Sequence, residues 1–299
     1  MKTLLAICVA TLMLGACAPP SPPPSPPPVP KRYVDMVFPA ASVTVGITYA
    51  SGRPDLVTGD PVDLHLDVSA PTKDTVTNRP AILWIHGGGF RVGSRAGLDS
   101  VATEYSRRGY VSIPVDYRLD PGNRCQDVQD GKIRPEQLEA ETARCLAAID
   151  AAQADTATAV AWVRSHAAQL GIDPDRIVAA GFSAGAVTAT HLGERQNGAG
   201  GPVDPTTRVS AVLAASGCNY ELDTIDASDA PISMLASQFD QAVPFGCSTA
   251  VVDRSTALGI HTQGLFHLGE GTHAMDLYTE YKTQTDAAWT GFLVRELHL

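Results

Sequence analysis

Residues 181–185 read Gly181-Phe182-Ser183-Ala184-Gly185, a G-x-S-x-G pattern. The run before it, Arg176-Ile177-Val178-Ala179-Ala180, suits a buried strand. The small-residue run after it, Ala184 to Thr190, suits a helix. A sharp strand-to-helix turn lifts one side chain out at the sheet's edge, and the flanking glycines let neighbouring elements approach closely. The lifted side chain is Ser183, a candidate nucleophile. A serine hydroxyl needs a base to take its proton, and the base needs an acid to orient it. The rest of the chain is read for those groups.

Working outward, short apolar runs alternate with helical stretches. Val43, Val45 and Ile47, then Val62, Leu64, Leu66 and Val68, alternate as in early antiparallel strands, with turns expected at 51–54 and 58–61. Buried strands are expected at Ala81–Ile85, Tyr110–Val115, Val209–Ala215, Ile232–Ala236 and Thr262–Phe266. Helices are expected over Asp99–Arg108, stopped by Gly109, over Asp155–Leu170, and near Cys247–Leu258 and Ala274–Leu297. Asp173-Pro174-Asp175 is read as a turn and Asn197 to Pro202 as a glycine-rich loop. The stretch 120–150 is polar and reads as an irregular segment, a lid or rim of the site. The alternation predicts an α/β domain over 33–299, a mainly parallel sheet covered on both faces.

In a fold with this elbow the acid and then the base follow the serine. Asp240 lies just past Ile232–Ala236, at that strand's carboxyl end. Asp226, Asp229 and Asp253 flank turns or helices and fit less well. Five histidines follow Ser183. His191 is on the elbow's own helix, His261 starts a strand and His298 is terminal. His273 occupies a glycine-rich loop between the last strand and the final helical stretch, where a ring can reach across the sheet's edge. His267 is the reserve. The oxyanion hole, backbone N–H groups aimed at developing charge, is assigned to Ala184 and to Gly88 and Gly89 in His86-Gly87-Gly88-Gly89-Phe90. His86 is read as a brace for that loop.

Taken in order, His86–Phe90, Val115-Asp116-Tyr117-Arg118-Leu119, Gly171–Ile177, Gly181–Gly185, Asp240–Pro244 and Thr272-His273-Ala274 resemble α/β-hydrolase esterases of the hormone-sensitive-lipase and carboxylesterase type. The resemblance covers roughly residues 60–299. It implies hydrolysis of carboxylic esters through an acyl-enzyme, without cofactor or metal. Small to medium acyl chains are expected. The alternatives are a carbohydrate acetyl or feruloyl esterase, a peptidase, and a catalytically inactive binding module. The sequence departs from the pattern at Phe182, where hormone-sensitive-lipase relatives usually carry Asp. It also lacks that branch's N-terminal helical cap, and it carries the 120–150 insertion and four cysteines beyond the leader.

The first thirty residues are read separately. Lys2 and the apolar run Leu4–Leu14 form a signal peptide (1–16), too short to span a bilayer. It ends in Leu14-Gly15-Ala16-Cys17, which resembles a lipoprotein cleavage site with Cys17 as the lipidated residue; the alternative is ordinary cleavage near Ala16 or Ala18. Residues 17–32 continue as a proline-rich spacer. The expected place is the bacterial cell envelope, on a membrane facing the periplasm or exterior. An exported chain with Cys125, Cys145, Cys218 and Cys247 suggests two disulfides, Cys125–Cys145 and Cys218–Cys247, each bracketing one loop region. The 299-residue chain is 44% apolar with a formal net charge of −10. An acidic chain without basic runs argues against nucleic-acid binding.

Overall fold

A computed structural model describes residues 31–194 and 204–299. The leader, Cys17, most of the proline-rich spacer and the Asn197–Pro202 loop lie outside the described residues. One eight-stranded sheet organises the rest, in the order β1-β2-β4-β3-β5-β6-β7-β8. Its strands are β1 (Ala41–Pro54), β2 (Pro61–Pro71), β3 (Arg79–Ile85), β4 (Val111–Val115), β5 (Ile172–Phe182), β6 (Ala211–Ala215), β7 (Ile232–Ser237) and β8 (Thr262–His267). β1 pairs β2 and β2 pairs β4 antiparallel; every other pairing is parallel. The helices are α1 (Asp99–Arg108), α2 (Cys125–Gln129), α3 (Pro135–Ser165), α4 (Ala167–Leu170), α5 (Ala184–Glu194), α6 (Phe245–Ala257), α7 (Ala274–Glu280) and α8 (Lys282–Glu296).

Strand alternation divides the core in two. From β3 and β5, Ala81, Leu83, Ile85, Ile177 and Ala179 face one side and meet α3 and α5. Ile82, Trp84, Val178, Ala180 and Phe182 face the other and meet α1, α7 and α8. These strands are buried on both faces, which is why they read as unbroken apolar runs.

The structure corrects four local expectations. The 120–150 stretch is not irregular: α2 lies within it, and α3 begins at Pro135 rather than at 155 and runs 31 residues. Proline fits a first helical turn, and Glu, Gln, Leu, Ala and Arg are all good helix formers. Residues 51–54 are not a turn, because β1 continues through them in a bulged pairing with β2. Residues 173–175 lie within β5, at a register irregularity. The final helical stretch is two helices, broken at Tyr281. Both disulfides, Cys125–Cys145 and Cys218–Cys247, pair as expected. Among the described residues no helix is long and apolar enough to cross a membrane.

Candidate active site

The parallel strands deliver their carboxyl ends to one edge of the sheet, and the candidate residues follow those ends. Ser183 sits in the turn immediately after β5, with its backbone in the left-handed region at φ +56°. A side chain there carries a local cost that the surroundings must hold, as at many functional turns. The turn is close-packed: a Cβ on Gly185 would collide with the carbonyls of Ile85 and His86. The loop after β3 presses on the same turn. A Cβ on Gly87 would stand 3.2 Å from Ser183 Cβ and 2.9 Å from the Phe182 carbonyl oxygen. Only residues without side chains let the two loops approach this closely.

Three side chains form a continuous hydrogen-bonded line. His273 Nδ1 lies 2.7 Å from Asp240 Oδ2, and His273 Nε2 lies 2.8 Å from Ser183 Oγ. An ionised carboxylate only accepts, so Nδ1 carries the proton and Nε2 is free to accept from the serine hydroxyl. Asp240 is buried. Burial by itself would push its carboxyl up. Hydrogen bonds from His273, from Ser216 Oγ (2.7 Å) and from the Val243 N–H (3.0 Å) outweigh that and hold it below the usual carboxylate range. The Ala242 N–H adds a further bond to the same carboxylate, at 2.8 Å.

Ser216 had no sequence signal beyond its place at the end of β6. Its buried hydroxyl donates to Asp240 and accepts from the Ala274 N–H at 3.0 Å. It thereby joins the loop of Asp240 to the first residue of α7, beside His273. Its own backbone, like that of Ser183, is left-handed, at φ +55°.

Gly88, Gly89 and Ala184 line the cavity that contains Ser183 and His273. His86 sits behind them. Its ring stacks on Tyr117 with centroids 4.3 Å apart, its Nδ1–H donates to the Gly87 carbonyl at 2.7 Å, and Tyr117 Oη donates to its carbonyl at 2.9 Å. Burial lowers its pKa and favours the neutral ring. These contacts fit a brace for the glycine loop. The reserve His267 instead packs on Tyr281, with ring centroids 3.7 Å apart. His191 is buried against Gln153 and accepts from the Tyr220 N–H. Phe182, next to the serine, turns its ring the other way, into the aromatic cluster of Trp84, Tyr278 and Trp289.

The sheet order and the elbow define an α/β-hydrolase fold. Among solved structures, a thermophilic esterase, Est2, from Thermogutta terrifontis superposes with a TM-score of 0.64 at 22% identity, over 89% of this chain and 95% of that one. In sequence the chain is similar to carboxylesterase-type proteins. A family model described as BD-FAE matches residues 142–219. Chlorogenic acid esterase of Aspergillus niger is 28% identical over 263 residues, covering 84% of this chain and 46% of that protein. Carboxylesterase NlhH of Mycobacterium tuberculosis is 31% identical over 126 residues, covering 42% of this chain and 32% of that protein. The chain spans less than half the length of the curated relatives it matches.

Proposed function

We propose that this chain is a serine hydrolase of carboxylic esters with small to medium acyl groups. The observation that carries the proposal is the Ser183–His273–Asp240 line of hydrogen bonds at the mouth of a cavity. Ser183 Oγ attacks the ester carbonyl carbon while His273 Nε2 takes the hydroxyl proton. Asp240, kept ionised by its four hydrogen bonds, holds the imidazole in the working tautomer and stabilises the imidazolium. The oxyanion is met by the N–H groups of Gly88, Gly89 and Ala184. Collapse of the tetrahedral intermediate breaks the bond to the alcohol, which leaves with the proton from His273. Water then attacks the acyl-enzyme, with His273 again as base, and releases the acid and free Ser183.

A feruloyl-type ester is the second reading. It rests on the chlorogenic acid esterase, which is similar over 84% of this chain. Both readings are tested on one panel of p-nitrophenyl acetate, butyrate and octanoate with methyl ferulate, alongside fluorophosphonate labelling. Hydrolysis and labelling, both lost in Ser183→Ala, are the expected result. A protein that neither cleaves the panel nor labels would overturn the proposal.

We also propose that Cys17 is lipidated and that the proline-rich spacer holds the domain off a membrane of the bacterial envelope. The support is the sequence Leu14-Gly15-Ala16-Cys17 before residues 19–30, of which nine are proline. A Cys17→Ser protein should move to the soluble fraction on cell lysis; continued co-sedimentation with membranes would refute the anchor.

A further inference from the structure

The cavity at Ser183 has a volume of about 1100 Å³, ample for an ester with at least one large limb. It straddles the sheet's edge. Ser94, Leu98 and Met275 line it on the side of α1 and α7, while Val128, Thr142, Leu146, Ile149, Val187 and Val243 line it on the side of α3 and α5. The insertion between β4 and β5 supplies four of these last six, from α2 and α3.

On α3, Thr142, Cys145, Leu146 and Ile149 recur at helical spacing, so they form one stripe facing the cavity. Exposure differs across it: Ile149 (4%) and Cys145 are buried, Thr142 is half-buried and Leu146 is 49% exposed. Ile149 is the floor of this limb and Leu146 its lip. Two charged side chains of this wall reach the cavity, Arg124 just before α2 and Asp127 on it, and they bond each other at 2.8 Å; the other charged lining residues, Arg91 and Asp276, come from the loop after β3 and from α7, outside this wall.

Three ties fix this wall in place. Cys125–Cys145 joins α2 to α3. Arg144 donates twice to the buried Asp120 carboxylate, at 2.5 and 2.6 Å. Gln126 and Gln129 donate to the Gln241 and Ala242 carbonyls, at 3.3 and 2.9 Å, clasping α2 to the loop that carries Asp240.

Resting on the esterase reading above, we propose that α2 and α3 form a pre-built wall that selects esters carrying a bulky, uncharged apolar group, aliphatic or aromatic, with Leu146 and Thr142 setting the size limit. A wall held at three points discriminates by fit, so filling the lip should shorten the limb.

The test compares kcat/KM for two ester series, one lengthening the acyl group of p-nitrophenyl esters from acetyl to octanoyl and one enlarging the alcohol of acetates from methyl to naphthyl. In Leu146→Trp, the ratio of the largest to the smallest substrate should fall about tenfold in at least one series, the loss expected when one or two methylenes no longer fit. Thr142→Trp, one turn earlier on the same stripe, should do the same and does not depend on Leu146→Trp folding. Leu138→Trp, exposed on the same helix but away from the cavity, should leave both ratios unmoved. Unchanged ratios in both wall variants, or an equal fall in Leu138→Trp, would overturn the inference. Absence of hydrolysis and of Ser183 labelling in the unsubstituted protein would instead sink the esterase reading beneath it.

Discussion

The two faces of the sheet are packed in different ways. On the side of α1, α7 and α8 the core is aromatic: Trp84, Tyr105, Tyr110, Phe182, Trp289 and Phe292 are all fully buried. Trp84 meets Tyr105 edge-on, Phe182 meets Tyr278 edge-on, and Tyr278 stacks on Trp289 with centroids 5.3 Å apart. The opposite side is built largely from Ala, Val, Ile and Leu, and both disulfides belong to it. Large rings bury much area per residue in fixed geometries. Small aliphatic side chains let helices sit closer but contribute less each. The aliphatic side also holds the wall of the cavity, and there disulfides take part of the load that ring packing carries on the other.

The contrast is sharpest between two adjacent residues. Phe182 turns into the aromatic side and Ser183 into the cavity. Ser183→Ala should therefore abolish turnover, by roughly 10⁵-fold or more, while leaving the urea midpoint of unfolding within experimental error. Phe182→Ala should do the reverse in kind, lowering unfolding free energy by about 3–5 kcal/mol. A Phe182→Ala protein as stable as its parent would break the account of that side as a ring-packed core.

On the aliphatic side, Cys125→Ser/Cys145→Ser should cost about 3 kcal/mol, the loop-closure value for a link between residues 20 apart. The loss is read by urea unfolding under non-reducing conditions. An unchanged midpoint would show that the Asp120–Arg144 pair and the glutamine clasps suffice to hold the wall.

The last effect is a slope with pH rather than a loss of function, and it concerns Glu194, buried at the end of α5. Burial pushes its carboxyl from 4.5 up to about 8, partly offset by a hydrogen bond from Ser255. The folded protein thus holds a proton that the unfolded chain has released. Stability from this group is complete below pH 4.5 and is lost as pH rises toward 8, by at most about 1.4 kcal/mol per pH unit. Glu194→Gln should flatten that slope in urea unfolding followed from pH 5.5 to 7.5. An identical slope in the variant would exclude Glu194 as its source.

The sheet was legible in the sequence where its strands are buried on both faces, because Ala81–Ile85 and Ile232–Ala236 have no polar residue to interrupt them beyond Ser233. The clustering of the candidate residues was legible because each follows a strand, and parallel strands bring distant loops to one edge. α3 was not legible over its first two thirds, 135–154. There one face meets a cavity rather than a core, so the apolar stripe is thin and polar residues surround it. Its composition of helix formers was the available signal. The 51–54 turn failed for another reason: Gly52 and Pro54 carry turn chemistry, but pairing with β2 across bulges overrides it. Ser216 could not be found at all. A single serine after Ala214-Ala215 has no pattern, and its importance comes from two partners 24 and 58 residues away.

At about 1.5 Å per residue, the 31 residues of α3 make a rod some 46 Å long. Its far half is locked into the core by Ala159, Val160 and Val163, and Arg164 near its end donates to the Thr206 and Arg208 carbonyls. In its near half a single stripe, Thr142, Cys145, Leu146 and Ile149, lines the cavity. One helix thereby separates two kinds of heritable change. Substitutions in the far half are constrained by folding. On the proposed esterase reading, those at 142 and 146, partly open to solvent, would alter which esters enter at little cost to the scaffold. On that reading, substrate range would diversify along a single surface stripe, with Ser183, His273 and Asp240 left untouched.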